Sequence, residues 1–155
     1  MPLPEVNKYA GAYRKALSEN PDSMELNNSV AMCYLKLKLY DKATEAFERA
    51  MEDNFDNSET FFYAAICRLR GKKAFLAQRA DIDKIEEYIN AALMIEPKGI
   101  YYYFLAYIKY DFFERKYLNT SPNYQECVRM AYDLGTSDYD KKMLFNILGV
   151  ALPNF

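Results

Sequence analysis

The sequence predicts an all-α protein, a right-handed superhelix of antiparallel helix–turn–helix units forming an α-solenoid of about eight helices. Three observations predict it. Only 5 Gly and 6 Pro interrupt 155 residues that are 51% hydrophobic and 27% charged, a composition that favours helices over a many-turned β fold. Two apolar stripes at helical spacing, one per helix of a hairpin, recur along the chain, and their first recurrence is 34 residues on, from Asn27 to Phe61 and from Tyr9 to Ala43. Pro21 and Pro97 each stand five residues after a matched alanine, Ala16 or Ala92, where a proline ends one helix and opens the next segment.

Each helix follows from one of these stripes. Residues 5–19 carry Tyr9, Tyr13 and Ala16, and form a half repeat over 5–22. The first full repeat, 23–56, has a helix at 24–38 with Asn27, Val30, Ala31 and Tyr34 on one face. A turn near Asp41 leads into its second helix at 40–53, with Tyr40, Ala43, Phe47 and Ala50 in phase. The second full repeat, 57–97, matches these with Phe61, Ala64, Ala65 and Arg68 in a helix at 57–71. Its second helix, 81–95, has Ile85, Ile89 and Ala92 and takes Asp81 as its N-cap. The third, 98–137, has Tyr101, Phe104, Leu105 and Ile108 in a helix at 98–117. A weaker stripe of Cys127, Ala131 and Leu134 follows at 122–134, with Ser121 and Pro122 as N-cap and first residue and Gly135 at the closing turn. The final half repeat, 138–155, holds Phe145, Leu148, Gly149 and Leu152 in a helix at 139–152. Two insertions break the period. Both, near 71–80 and near 115–121, are expected to lengthen the first helices of their repeats by a turn or two, and "GKKAFLAQRAD" in the first of them reads either as partly helical or as a basic loop.

A 34-residue helical hairpin with Val30-Ala31, Tyr34, Ala43 and Phe47, in a chain whose other units close on Pro21 and Pro97, resembles the tetratricopeptide repeat family, although Asn27 stands where that family usually has a large aromatic and Phe55 replaces the closing proline of this repeat. Phe145, Leu148 and Gly149 resemble the same first-helix signature. In such repeats small residues (Ala31, Ala65, Gly149) let helices approach and large ones (Tyr34, Phe47, Phe104) fill the gaps. One hairpin cannot bury its own apolar face, so the units stack.

The composition also narrows the function. A net charge of −2 with acids and bases interspersed leaves no cationic stripe for phosphate, so nucleic acid is not an expected partner. The aromatic stretch from Gly99 to Leu118 has an uncharged run of only ten residues, Gly99 to Ile108, against roughly 20 needed to span a bilayer, so no membrane insertion is expected. No signal-peptide pattern precedes it, and the expected location is cytoplasmic. With no His, and with Cys33, Cys67 and Cys127 far apart, neither a metal site, a cofactor nor a disulfide framework is expected. Asp81-Ile82-Asp83 and Asp138-Tyr139-Asp140 fall at helix N-termini, where carboxylates cap the backbone and favour the dipole. No nucleophile–base pair can be named, and the chain is not expected to be an enzyme.

The resemblance implies a concave face lined by the first helices. From the helical phase that groove carries Asn28, Met32 and Leu35, then Phe62, Ile66 and Leu69, then Tyr102, Ala106 and Tyr110, with Tyr63 and Tyr103 at the rim. Tyr101, Phe104, Leu105 and Ile108 point into the stack. The expected function is a scaffold that binds a peptide or protein segment there. Some relatives grip a chaperone's C-terminal carboxylate with Lys, Arg and Asn; the matching positions, Asn28, Met32, Tyr63, Gly99 and Tyr103, hold no Lys or Arg, which disfavours that ligand. An alternative comes from the last helix, where Asn146 is the one strongly polar residue from Met143 to Leu152. Such an apolar terminal helix reads as a self-association surface, a homodimer through Leu144, Ile147 and Val150, or as the seat of a continuation of the chain.

Overall fold

The computed structural model describes residues 3–19, 23–53 and 56–155. Eight α-helices form, and no strand occurs among the described residues: α1 (Leu3–Glu19), α2 (Met24–Lys36), α3 (Tyr40–Asp53), α4 (Ser58–Arg68), α5 (Arg79–Ile95), α6 (Gly99–Ile108), α7 (Tyr124–Asp133) and α8 (Asp138–Leu148). None is long and apolar enough to cross a membrane. The helices α2–α3, α4–α5 and α6–α7 pair as hairpins, and the second helix of each unit packs on the first helix of the next, α1 on α2, α3 on α4 and α5 on α6. This is the stacked α-solenoid that the two stripes predict. Pro21 and Phe55 lie outside the described residues.

The stripes are the reason for the stack. Val30, Ala31, Ala64, Ala65, Tyr101, Phe104, Leu105 and Ile108 from the first helices are all buried, as are Ala43, Phe47, Ala50, Ile85, Ile89, Ala92, Cys127 and Ala131 from the second. Alanines and glycine mark the closest approaches. A β-carbon on Gly99 would collide with the Thr136 hydroxyl and stand 2.6 Å from the Ala131 carbonyl, so α6 can start against the end of α7 only without a side chain there. Polar ties repeat from unit to unit between first helices. The Thr60 hydroxyl donates to Asn28 Oδ1 at 2.9 Å, and Ser58 and Tyr101 share a hydrogen bond of 2.7 Å. At the second-helix side, Glu48 receives both the Arg68 guanidinium (2.7 Å) and the Tyr88 hydroxyl (2.9 Å), which joins α3, α4 and α5. Arg68, aligned with apolar residues in the other repeats, is therefore a strut.

Several expected boundaries move, each for a local reason. The fifth helix begins at Arg79 behind Gln78, so Asp81 is no N-cap; it lies in the first turn and pairs with Arg70 at 3.5 Å and Arg68 at 3.9 Å. The seventh helix is capped not by Ser121 but by Asn123, whose side chain accepts from the Glu126 amide at 2.9 Å. Gly135 takes its expected place at the end of that helix, with φ +87°. Three large stripe residues are exposed: Leu134, because it is the C-cap of α7, Tyr9, because no helix precedes α1 among the described residues to cover it, and Leu152, because it lies beyond the end of α8.

The insertions pack on each other. Residues after α4 do not lengthen that helix but form a loop with one short 3₁₀ turn, Ala74–Leu76. Beyond α6 the chain stays helical through a π-turn, Lys109–Phe113, and a 3₁₀ turn, Glu114–Lys116, and stops at Tyr117 with φ +57°. The Tyr107 hydroxyl and the buried Asp111 carboxylate accept the Ala74 and Phe75 amides at 3.0 and 2.7 Å, which fixes the loop to the extended helix. Arg115 and Lys116 then close over the Phe75 ring at 4.5 and 4.9 Å.

Candidate functional site: the concave face

The candidate site is the side of α2, α4 and α6 that the helical phase turned inward. Of the eleven residues expected there, Asn28, Met32, Tyr63, Tyr102 and Tyr110 are half-buried, while Leu35, Phe62, Ile66, Leu69, Tyr103 and Ala106 are buried. These six do not form an open surface, for two reasons. Leu35, Ile66, Leu69 and Ala106 belong to the main core, and Phe62 is wedged between α4 and α6, 4.8 Å from the Tyr101 ring and 5.8 Å from Phe104. Tyr103 is covered by the chain's own C-terminal segment.

That segment is α8 with the residues that follow it. It packs on α6 and reaches across to α4, with little contact to α7, its neighbour in sequence. The Phe145 ring meets Tyr107 edge-on at 5.1 Å and Tyr103 edge-on at 6.1 Å. Gly149 comes beside Gly71 at the end of α4, where an added β-carbon would stand 3.8 Å from the Gly71 Cα. Phe155 then inserts between Tyr103 (5.7 Å), Tyr110 (5.1 Å) and Tyr124 (5.6 Å). Tyr110, expected toward an open concavity, thus already has two aromatic neighbours.

The same placement corrects the reading of the last helix. The signature Phe145, Leu148 and Gly149 does not sit inside a regular first helix, because α8 ends at Leu148 and Gly149 is its C-cap, with φ +74°. Its glycine is required for the left-handed stop and not for helix crossing. Leu144, expected at a homodimer surface, is 2% exposed within its own chain, and Ile147 and Val150 are half-buried against the core. Sequence reasoning missed Phe145, Tyr107 and Phe155 as site residues. A partial signal was present: the capping box of Ser137 and Asp140 and the glycine at 149 bracket the last helix and end it at Leu148, short of the expected 152.

Two of the crevices on the described surface run along the first helices. One, about 210 Å³, lies between α8 and the solenoid, lined by Phe62, Tyr63 and Ile100 below and by Tyr139, Met143 and Ile147 above. The other, about 280 Å³, lies between α1 and α2, lined by Tyr9, Tyr13, Met32 and Lys36 among others. Both are lined mainly by apolar side chains and phenol rings. The charged groups nearby are few. Lys141 reaches the Tyr132 hydroxyl at 2.9 Å and Asp138 at 3.0 Å, and lies over the Tyr103 ring at 5.5 Å. Among the described residues no three His, Cys, Asp or Glu side chains converge on a metal-sized site.

Burial sets the titration of the interior. It pushes the Cys67 thiol up to about 12 and the Cys127 thiol up to about 11, and it pushes the Tyr107 hydroxyl up to about 12, helped by the Asp111 carboxylate. Each group is held neutral in the fold and ionises sooner in the unfolded chain, so its contribution is complete below its ordinary value, 9.0 for the thiols and 10.0 for the phenol, and fades as pH rises through the folded values. The denaturant midpoint is accordingly expected to stay level from about pH 6 to 8 and to fall steadily between about pH 9 and 12. A midpoint constant to the top of that range contradicts this assignment. The same burial predicts that thiol reagents at pH 8 label Cys67 and Cys127 only after denaturant is added.

No family model matches the sequence, and no curated protein matches it. The fold is similar to that of the solved structure described as MamA MSR-1 C2, a tetratricopeptide-repeat protein, with a TM-score of 0.61 and 17% identity over 84% of this chain and 67% of that one. The likeness is one of fold: a tetratricopeptide-like helical repeat.

Proposed function

We propose that the chain is a non-catalytic protein-interaction scaffold that takes a peptide or protein segment on the concave side of its first helices. The observation that carries this reading is the aromatic row of Phe62, Tyr63, Tyr103 and Tyr107 across α4 and α6, against which a short amphipathic helix, α8, is already seated. A surface that accommodates one such helix has the shape and apolar chemistry to hold another. The non-catalytic part rests on the absence of His from the sequence and on thiols whose burial keeps them protonated. Those thiols suit a reducing compartment, and a cytoplasmic location is part of the proposal. Self-association through Leu144, Ile147 and Val150 would first require α8 to leave its seat, and is not the reading preferred here.

The test is selection from a library of helical peptides, followed by Met32→Ala and Tyr63→Ala in the protein. Both residues are half-buried, and Tyr63 is stacked on Phe47 at 6.1 Å with its other side on the crevice under α8. Each change is expected to weaken a selected peptide by at least about tenfold, or 1.4 kcal/mol, with helicity retained. Peptides that bind both variants as they bind the parent would place the interaction elsewhere and sink this reading of the face.

A further inference from the structure

We infer that α8 is a displaceable resident of the concave face: the chain carries its own competing ligand, and the partner is an amphipathic helix with the same apolar spacing that takes its place. This rests on the scaffold reading above. Leu144, Phe145 and Leu148, at positions i, i+1 and i+4, are the apolar pattern of α8 that is buried, and they define the pattern a partner must present.

Four features make α8 a resident rather than a fixed layer. It is a self-contained helix: the Ser137 hydroxyl accepts the Asp140 amide at 3.1 Å, Asp140 accepts the Ser137 amide at 3.2 Å, and Gly149 stops the other end. Neither end needs the solenoid to satisfy its backbone. It hangs on α7 through a short turn containing Gly135 and touches α7 little, so leaving its seat would disturb no hairpin. Its fit is incomplete, with the 210 Å³ crevice beneath it and with Tyr139 and Met143 on its margin 70% and 43% exposed. Its polar tie to the neighbouring helix is a hydrogen bond from Lys141, whose side chain is 12% exposed, to the hydroxyl of the 51% exposed Tyr132. Opening would uncover Phe62, Tyr103 and Tyr107, a patch that calls for a new apolar cover. Only the open fraction binds, so a partner's apparent affinity falls by that fraction.

The experiment uses the full chain and a fluorescent synthetic peptide of residues 137–155 with Phe145 intact. The Phe145→Ala protein loses the ring that grips Tyr103 and Tyr107, and is expected to keep its other helices and bind the peptide at least tenfold more tightly than the unmodified protein. In the unmodified protein, amide hydrogens of α8 are expected to exchange at least a hundredfold faster than those of α4 and α6. Equal peptide binding by both proteins overturns the resident-ligand proposal and leaves the scaffold reading standing. So does protection of α8 equal to that of α4, or loss of helicity throughout Phe145→Ala, since either makes α8 part of one cooperative core. Fast exchange in α8 with no peptide binding to either protein overturns both this proposal and the scaffold reading of this face.

Discussion

Phe104→Ala is expected to destabilise the chain by about 3–5 kcal/mol, the usual cost of emptying a buried aromatic site. The ring is 0% exposed and lies in the middle of α6, edge-on to Phe62. Its neighbours Tyr101 and Leu105 are equally enclosed, so little can move in to fill the space. Whole domains are stable by only about 5–15 kcal/mol, so the variant stands to lose roughly a fifth or more of its margin. Urea unfolding followed by helical signal measures it: the midpoint should drop sharply at nearly constant slope. A loss under about 1 kcal/mol would mean that the ring does not fill the stack.

Asp111→Ala is expected to cost about 2–3 kcal/mol, for a different reason. The carboxylate, 6% exposed, accepts the Phe75 amide at 2.7 Å, the Arg115 guanidinium at 2.7 Å and the Tyr107 hydroxyl at 3.4 Å. Its removal leaves a backbone N–H and a buried hydroxyl without this acceptor. Arg115→Ala separates the two halves of the argument. Its side chain is 42% exposed, so losing its ion pair and its contact with the Phe75 ring should lower the urea midpoint clearly less than Asp111→Ala does. Asp111→Ala should also free the 71–78 loop, and limited trypsin digestion at Lys72 and Lys73 should quicken only in that variant. Equal costs for the two variants would mean that the ion pair, and not the loop anchor, is what Asp111 provides.

The parts of the fold set by short-range period were legible in the sequence. All eight helices form where a stripe of three or four apolar residues recurs, because helical phase is a local property that stacking reinforces. The boundaries that moved depend on chemistry one turn away. Asp81 reads as a cap from its type and place, yet the arginines at 68 and 70 give it ion-pair partners inside the helix. Asn123 could cap α7 only once Pro122 lay outside the helix. Where α8 rests could not be read from phase at all. Its position depends on how Phe145 fits Tyr103 and Tyr107 some forty residues earlier, a long-range match that no periodicity encodes. The division of the groove residues went partly astray for the same reason. Phase alone assigns Phe62 and Tyr103 to the surface, whereas neighbouring aromatic rings in one case and the returning C-terminal segment in the other enclose them. Gly149 is the sharpest instance, since its sequence context resembles a helix-crossing position and its backbone makes it a helix stop.

The last helix turns back onto α6 and α4 instead of continuing the stack. Nuclear Overhauser contacts from the Phe145 ring test that placement most directly. Contacts to the rings of Tyr107 and Tyr103, whose centroids lie 5.1 and 6.1 Å away, are the predicted result. Contacts from Phe145 to Cys127 and Ala131 of α7 instead, as a regular next repeat would make, would contradict the account.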